Sequence, residues 1–109
     1  MPKIETGRPY QTVLTTFETG PGSCQDLLDE LTDAYDTFIS RQPGFISAAL
    51  HVNDALTRIA NYSQWEKRED FMAMLRTPEM RERNRRINAM CRSFEPVMYE
   101  VTKTFDPEE

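Results

Sequence analysis

The stretch Arg-Ile-Ala-Asn-Tyr-Ser-Gln-Trp, residues 58–65, decides the fold because it reads as a β-strand with two half-apolar faces. Successive side chains of a strand point to opposite faces of the sheet. One face carries Ile59, Asn61, Ser63 and Trp65, and the other carries Arg58, Ala60, Tyr62 and Gln64. Both faces contain apolar side chains, so we expect a covering layer on each side of the sheet.

The composition is that of one ordered domain. The 109 residues are 39% hydrophobic and 10% aromatic, which suffices for a modest core. The formal net charge of −5 argues against a nucleic-acid or anionic-membrane binder, because both need a basic surface. No apolar run reaches the roughly 18 residues needed to span a bilayer.

Two further features predict a cytoplasmic protein with reduced thiols. The first residues show no hydrophobic signal region, which predicts a cytoplasmic protein. Cys24 and Cys91 lack the spacing of metal ligands, so we expect reduced structural thiols within helices and no metal site.

The predicted elements run strand, helix, strand, strand, helix, helix, strand. The strands are expected at Tyr10 to Glu18, Phe45 to Val52, residues 58–65, and Pro96 to about Phe105. The first helix is expected to begin at Ser23 and to end at Gln42-Pro43-Gly44. A second, short helix is expected to end near Arg76, and a third to begin at Pro78 with Thr77 as its N-cap. Residues 1–9 are predicted to form an arm, 10–105 a single domain, and 106–109 an acidic tail.

This order suits a four-stranded antiparallel sheet with helices packed on one face. A turn at residues 53–56 is predicted to pair Val52 with Thr57, Leu50 with Ile59, and Ala48 with Asn61. Ile46, Ala48 and Leu50 would then share the face of Asn61 and Trp65, which would line the space beneath the helices. His51 would point to the reverse face.

The reverse face would keep apolar side chains that the helices cannot cover. They are expected to be Ala60, Tyr62, Val97 or Met98, and Val13 or Leu14. A second sheet, most simply that of an identical subunit, would cover them, which predicts a homodimer through the sheet faces.

A family resemblance rests on residues 42–48, Leu50-His51, residues 61–66 and Phe71. Together they resemble the antibiotic biosynthesis monooxygenase family, in particular its quinone-forming anthrone oxygenases of the tetracenomycin and actinorhodin type. The resemblance covers about Val13 to Val101. It implies an α+β, ferredoxin-like βαββαβ fold that dimerises into an α+β barrel, and oxygen chemistry without flavin, haem or metal.

The resemblance also implies the site residues. Asn61 and Trp65 match the family's pocket pair, whose side chains hydrogen-bond a substrate carbonyl or the oxygen species bound to it. Arg83 is our choice for a cation at the pocket edge that retains the phenolate, with Arg86 as the second choice. The substrate-binding walls are expected to be Leu50, Phe71, Met74 and Phe38, with Tyr35 as a pocket hydroxyl.

Two departures from the family matter. Its members carry a tyrosine at the positions of Leu50 and Phe71. Phe71 can neither donate nor accept a hydrogen bond, so a proton-handling role at that position is absent here.

The implied function is a cofactor-independent monooxygenase that oxidises a phenolic anthrone-type polyketide to a quinone, with O2 as co-substrate. The substrate is the reductant, so the protein need supply only an apolar cavity and donors aimed at developing oxyanion charge. Two alternatives stay open: a polyketide cyclase of the same dimeric fold, and a dimer that binds aromatic molecules without catalysis.

Overall fold

The computed structural model describes residues 10–107, so the predicted arm and the end of the predicted tail lie outside the described residues. The strands are β1 (Gln11–Glu18), β2 (Phe45–Val52), β3 (Arg58–Trp65) and β4 (Ser93–Tyr99). The helices are α1 (Cys24–Thr37), α2 (Arg68–Arg76) and α3 (Pro78–Met90), and a short 3₁₀ helix (Ile39–Arg41) follows α1.

The four strands form one antiparallel sheet in the order β2-β3-β1-β4, with the helices on one face. This arrangement confirms the predicted α+β, ferredoxin-like fold. The core lies between the two layers, where Val13 and Ile59 of the sheet meet Leu27 of α1 and Ile87 of α3. These four side chains are at most 1% exposed.

The start of α3 follows from its first residues. The Thr77 hydroxyl accepts a hydrogen bond from the backbone N–H of Met80 at 3.1 Å, and Pro78 occupies the first helical position. A proline has no N–H to leave unsatisfied at that point. The sequence prediction for this helix start is confirmed.

The predicted pairing of β2 with β3 is wrong by two residues. Val52 pairs with Ile59 and Leu50 with Asn61. The cause is Asn53, whose side-chain oxygen accepts from the backbone N–H groups of Thr57 at 2.9 Å and Arg58 at 2.8 Å, which keeps Thr57 in the loop. Because the side-chain period of a strand is two, this shift leaves Leu50 and Asn61 on the predicted face.

The start of β2 contains a bulge that the sequence did not reveal. The register changes between Phe45 and Ser47, so Phe45 rather than Ile46 aligns with Trp65. An inserted residue exchanges the faces of the strand on either side of it. Phe45 consequently reaches Trp65, with ring centroids 5.4 Å apart in an edge-to-face arrangement.

The prediction for β4 is also wrong at both ends. The strand begins at Ser93, and Pro96 lies within it, aligned with Thr15. A proline is tolerated there because β4 is an edge strand, where the missing N–H removes no bond to a further strand. The strand ends at Tyr99, and residues 100–107 have no regular secondary structure.

The face of the sheet that points away from the helices carries an apolar row. Leu14 aligns with both Tyr62 and Val97, and all three side chains are half-buried. The sequence left two pairs of alternatives open for this face. The residues that lie on it are Leu14 rather than Val13, and Val97 rather than Met98.

We expect Gly44→Ala to lower the free energy of unfolding by about 2 kcal/mol or more, because Gly44 adopts a φ of 83° that favours glycine. A Cβ on Gly44 would also lie 2.6 Å from the Cβ of Asp70, which is fixed to the backbone of α2. Urea unfolding followed by tryptophan fluorescence measures the effect.

Gly22→Ala is the matched control for that change. A Cβ on Gly22 meets no heavy atom within 4 Å, so its expected effect is within about 0.5 kcal/mol. Equal stability of the two variants would contradict the structural role given to Gly44.

Candidate active site

A hydrogen bond between two polar side chains joins α1 to β3. The Tyr35 hydroxyl donates a hydrogen bond to Asn61 Oδ1 at 2.9 Å. Within residues 10–107, the amide nitrogen Nδ2 of Asn61 forms no hydrogen bond. The amide therefore keeps its two N–H donors for another partner.

Asn61 and Tyr35 line a small cavity between the sheet and the helices, which we call the inner cavity. Its volume is about 50 Å³. Most of its other walls are apolar, and they include Leu31, Ile39, Phe71, Met74, Leu75, Met80, Ile87 and Phe94. Asn84 of α3 adds a second amide that the sequence analysis did not propose as a site residue.

A larger space, which we call the outer groove, lies between α1 and β2. Its volume is about 420 Å³. It is lined by Thr32, Tyr35, Asp36, Ser40, Phe45, Ser47, Ala48, Ala49 and Leu50. Sites for small organic ligands occupy about 300–1,000 Å³, so the outer groove can hold a polycyclic molecule and the inner cavity alone cannot. Tyr35 lines both spaces.

The indole of Trp65 is fully buried and lines neither space. Its ring packs edge-to-face against Phe71 at 5.8 Å between centroids, as it does against Phe45. Its Nε1–H donates to Ser63 Oγ at 3.2 Å. Trp65 shares the face of Asn61, as expected, but its N–H points to Ser63 rather than into a cavity.

Ser63 is a functional candidate that the sequence analysis missed. It lies between Asn61 and Trp65 on the same face of β3 and is 3% exposed. Burial raises the pKa of Tyr35, and hydrogen bonding with Asn61 and Ser63 offsets part of that rise. The phenol therefore stays protonated at neutral pH and acts as a donor. The signal in the sequence was a third polar residue, at position 63, on the face of Asn61 and Trp65.

The prediction that Arg83 lies at the pocket edge is wrong. Its guanidinium joins α3 to α1 and lines neither space, because Nη1 binds Asp33 at 3.0 Å and Nη2 binds Thr37 at 3.0 Å. Its Nε binds Glu79 at 2.8 Å. The hydrogen bond to Asp33 raises the pKa of Arg83 further. The prediction failed because carboxylates on α1 and α3 bind the guanidinium and hold it in the interface between the two helices.

The remaining predicted residues fall into three groups. Phe71 and Met74 line the inner cavity, and Leu50 lines the outer groove. Phe38 packs against the core but lines neither space. Arg86, the second choice for the pocket cation, instead pairs with Glu30 at 3.3 Å on the surface.

Residues 10–107 contain no group of three histidine, cysteine or acidic side chains placed to hold a metal ion. In the same part of the chain, no helix is both long and apolar enough to cross a bilayer.

Comparison with known proteins identifies relatives of the chain. The profile of the family described as antibiotic biosynthesis monooxygenase matches residues 11–86. The tetracenomycin-F1 monooxygenase of Streptomyces glaucescens is 30% identical over 94 residues, which cover 86% of this chain and 83% of that protein.

Two solved structures show the same fold. One is a monooxygenase from the gene ActVA-Orf6 of Streptomyces coelicolor in complex with nanaomycin D, with a TM-score of 0.76, 22% identity, and coverage of 91% of this chain and 92% of that one. The other is SnoaB of Streptomyces nogalater, described as a cofactor-independent oxygenase. It has a TM-score of 0.72, 18% identity, and coverage of 90% and 98%.

Proposed function

Since the chain belongs to the antibiotic biosynthesis monooxygenase family, we propose that it oxidises a phenolic, anthrone-type polyketide to a quinone with O2 and without a cofactor. The observation that carries the proposal is the Asn61 amide, which keeps its N–H donors free beside an apolar cavity. The names of the relatives support the substrate class and the absence of a cofactor.

The proposed reaction converts one CH2 group of the substrate to C=O. The phenolic anthrone loses a proton to water and becomes a carbanion, which passes one electron to O2. The radical and superoxide recombine to a peroxide anion, which takes a proton back from water to give the hydroperoxide. Loss of water then gives the quinone, so the net change is CH2 + O2 → C=O + H2O. The Asn61 N–H groups stabilise the developing negative charge on oxygen, and low local polarity strengthens that interaction.

The sizes of the two spaces suggest how the substrate binds. The ring system lies in the outer groove against Phe45 and Leu50, which offer apolar surface of the required extent. Its oxygen-bearing edge reaches the Asn61 amide past Tyr35, which is the wall common to the groove and the inner cavity.

The apolar row on the reverse face supports a homodimer. Leu14, Tyr62 and Val97 adjoin one another on β1, β3 and β4, away from the helices. We propose that two sheets pack through these rows, because the half-buried apolar side chains form a contiguous patch on the face that the helices do not cover, and such a patch marks an interface.

We expect the protein to consume O2 and form anthraquinone from dithranol or emodin anthrone, with no metal or flavin added. Asn61→Ala is expected to lower kcat by about 10²-fold, which is typical when one oxyanion donor is removed. An oxygen electrode and the quinone absorbance measure the reaction.

Asn88→Ala, which removes an exposed amide on α3, is the matched control and should keep full activity. Full activity of Asn61→Ala would refute the role of Asn61. Absence of quinone formation from the anthrone, together with turnover of a linear polyketide in the absence of O2, would instead indicate the cyclase.

Thr32→Trp is expected to raise KM for the anthrone by about tenfold with little change in kcat, because the indole would fill part of the outer groove. Gln25→Trp on the exposed side of α1 controls for the added aromatic ring. If Thr32→Trp leaves KM unchanged, the ring system does not bind in the groove.

Sedimentation equilibrium is expected to give twice the monomer mass for the wild type. Leu14→Arg should shift the protein to the monomer, because it would bury an unpaired charge between the sheets. Asn88→Arg, on the surface of α3, should stay dimeric. A monomeric wild type at micromolar concentration would refute the dimer.

A further inference from the structure

We infer that Asp36 is a catalytic residue, the general base that takes a proton from the CH2 group of the anthrone. The inference rests on the proposed function, because it names the group that performs the first step of that reaction. Asp36 lies in the outer groove, its carboxylate has no partner among the described residues, and it stands at the end of α1.

The walls of the outer groove and of the inner cavity contain two ionisable side chains, Tyr35 and Asp36. Tyr35 is not a base, because burial raises its pKa and its hydroxyl donates its proton to Asn61. An ionised carboxylate, by contrast, can only accept. Asp36 is therefore the one charged acceptor along the space proposed for the substrate.

The Asp36 carboxylate forms no ion pair and no hydrogen bond with any of residues 10–107. Two other carboxylates of α1 are already engaged. Asp33 pairs with Arg83 Nη1 at 3.0 Å, and Asp29 accepts a hydrogen bond from Gln25 at 2.8 Å. The lone pairs of Asp36 thus remain available to a proton of a bound molecule.

The position of Asp36 in α1 does not serve the stability of the helix. Asp36 is the last residue but one, since α1 ends at Thr37. The free carbonyl groups make the C-terminal end of a helix negative, so a carboxylate there is unfavourable. The last turn of α1 contains no basic side chain that would offset it. A role in the groove accounts for an acid at this place.

The shape of an anthrone brings its CH2 group toward Asp36. The carbonyl and the CH2 group lie on opposite sides of the central ring, so a carbonyl that meets Asn61 leaves the CH2 group facing the outer groove. Asn61 lines only the inner cavity, Tyr35 lines both spaces, and Asp36 lines only the groove. This order of side chains matches the order of carbonyl, ring and CH2 in the substrate.

The proton transfer balances without any further reactant. One C–H bond of the CH2 group breaks, and an O–H bond forms on the Asp36 carboxylate. The electron pair stays on the substrate and is delocalised onto the carbonyl oxygen, next to Asn61. Because Asp36 is exposed, it passes the proton on to bulk water, so the substrate still loses its proton to water overall. A base and an oxyanion donor then act on opposite ends of one anion.

Hydrogen exchange at the CH2 group tests this step without O2. In D2O under nitrogen, the CH2 hydrogens of dithranol exchange only when the carbanion forms, and ¹H NMR follows the loss of their signal. The wild type is expected to exchange them faster than buffer alone. Asp36→Asn, which keeps the size of the side chain and removes the base, should slow the enzymatic exchange by about 10²-fold, and kcat for quinone formation should fall as well.

Asp29→Asn is the matched control. It removes the same charge two helical turns earlier on the same side of α1, where the exposed carboxylate lines neither space. This variant should exchange the CH2 hydrogens at the wild-type rate. The melting temperature of Asp36→Asn should be unchanged or higher, because the substitution removes a negative charge from a helix C-terminus, so slow exchange would not reflect unfolding.

Rescue by a small base gives a second readout. Asp36→Ala leaves room in the outer groove for formate, which carries the missing carboxylate. Added formate is expected to restore part of the exchange in Asp36→Ala. It should not help Asn61→Ala, in which the base is intact.

Exchange by Asp36→Asn within about twofold of the wild type would overturn the inference, and so would an equal loss in Asp29→Asn. Exchange by the wild type no faster than in buffer would overturn it as well. Failure of the proposed function is a separate result. Asp36-dependent exchange in a protein that forms no quinone under air would leave the base established and the anthrone oxygenase refuted. Quinone formation at the full rate by Asp36→Asn would refute the base alone.

Discussion

The structure depends on how β3 satisfies the polar side chains that it places beneath the helices. An amide and a hydroxyl in an apolar layer are unfavourable unless each finds a partner. Asn61 finds Tyr35 of α1, and Ser63 accepts from Trp65 of its own strand. The Tyr35–Asn61 hydrogen bond joins α1 to the sheet, so a contact that satisfies a polar group of the core also brings together two residues of the candidate site.

The site is built from neutral donors, and Arg83, the cation expected at its edge, binds other partners. Arg83 is 8% exposed and is bound by Asp33, Glu79 and Thr37 between α1 and α3. A guanidinium in the inner cavity would have to lose those partners, at a large desolvation cost. A neutral amide can stabilise developing negative charge without that cost, because its dipole is already oriented when the charge appears.

The sequence allowed most of the fold to be predicted, since the helix starts and strand faces are local properties. Thr77-Pro78 and the alternation in residues 58–65 act through neighbouring residues alone. The errors arose where a side chain acts at longer range or where position in the sheet matters. Asn53 lengthened the loop before β3 by binding two backbone N–H groups, and Pro96 was tolerated because β4 is an edge strand.

The candidate site was less predictable for the same reason. The helical period placed Arg83 near the inner stripe of α3, but the outcome depended on carboxylates of α1 that only the packing brings close. Glu30, Asp33 and Thr37 lie at spacings of three and four residues, so they share one face of α1. That face, together with a buried arginine on α3, is the pattern that indicates an interhelical ion pair rather than a pocket cation.

Tyr35 shows how one phenol from α1 can serve a site whose other expected hydroxyls are missing. The resemblance leads one to expect tyrosines at positions 50 and 71, where this chain has Leu50 and Phe71. Among the described residues, Tyr35 supplies the only phenol at the inner cavity or the outer groove. Burial keeps it protonated, and its proton is committed to Asn61, so it is poorly suited to act as a base. Its position at the boundary of both spaces instead suits a fixed donor that orients the amide toward an incoming ring.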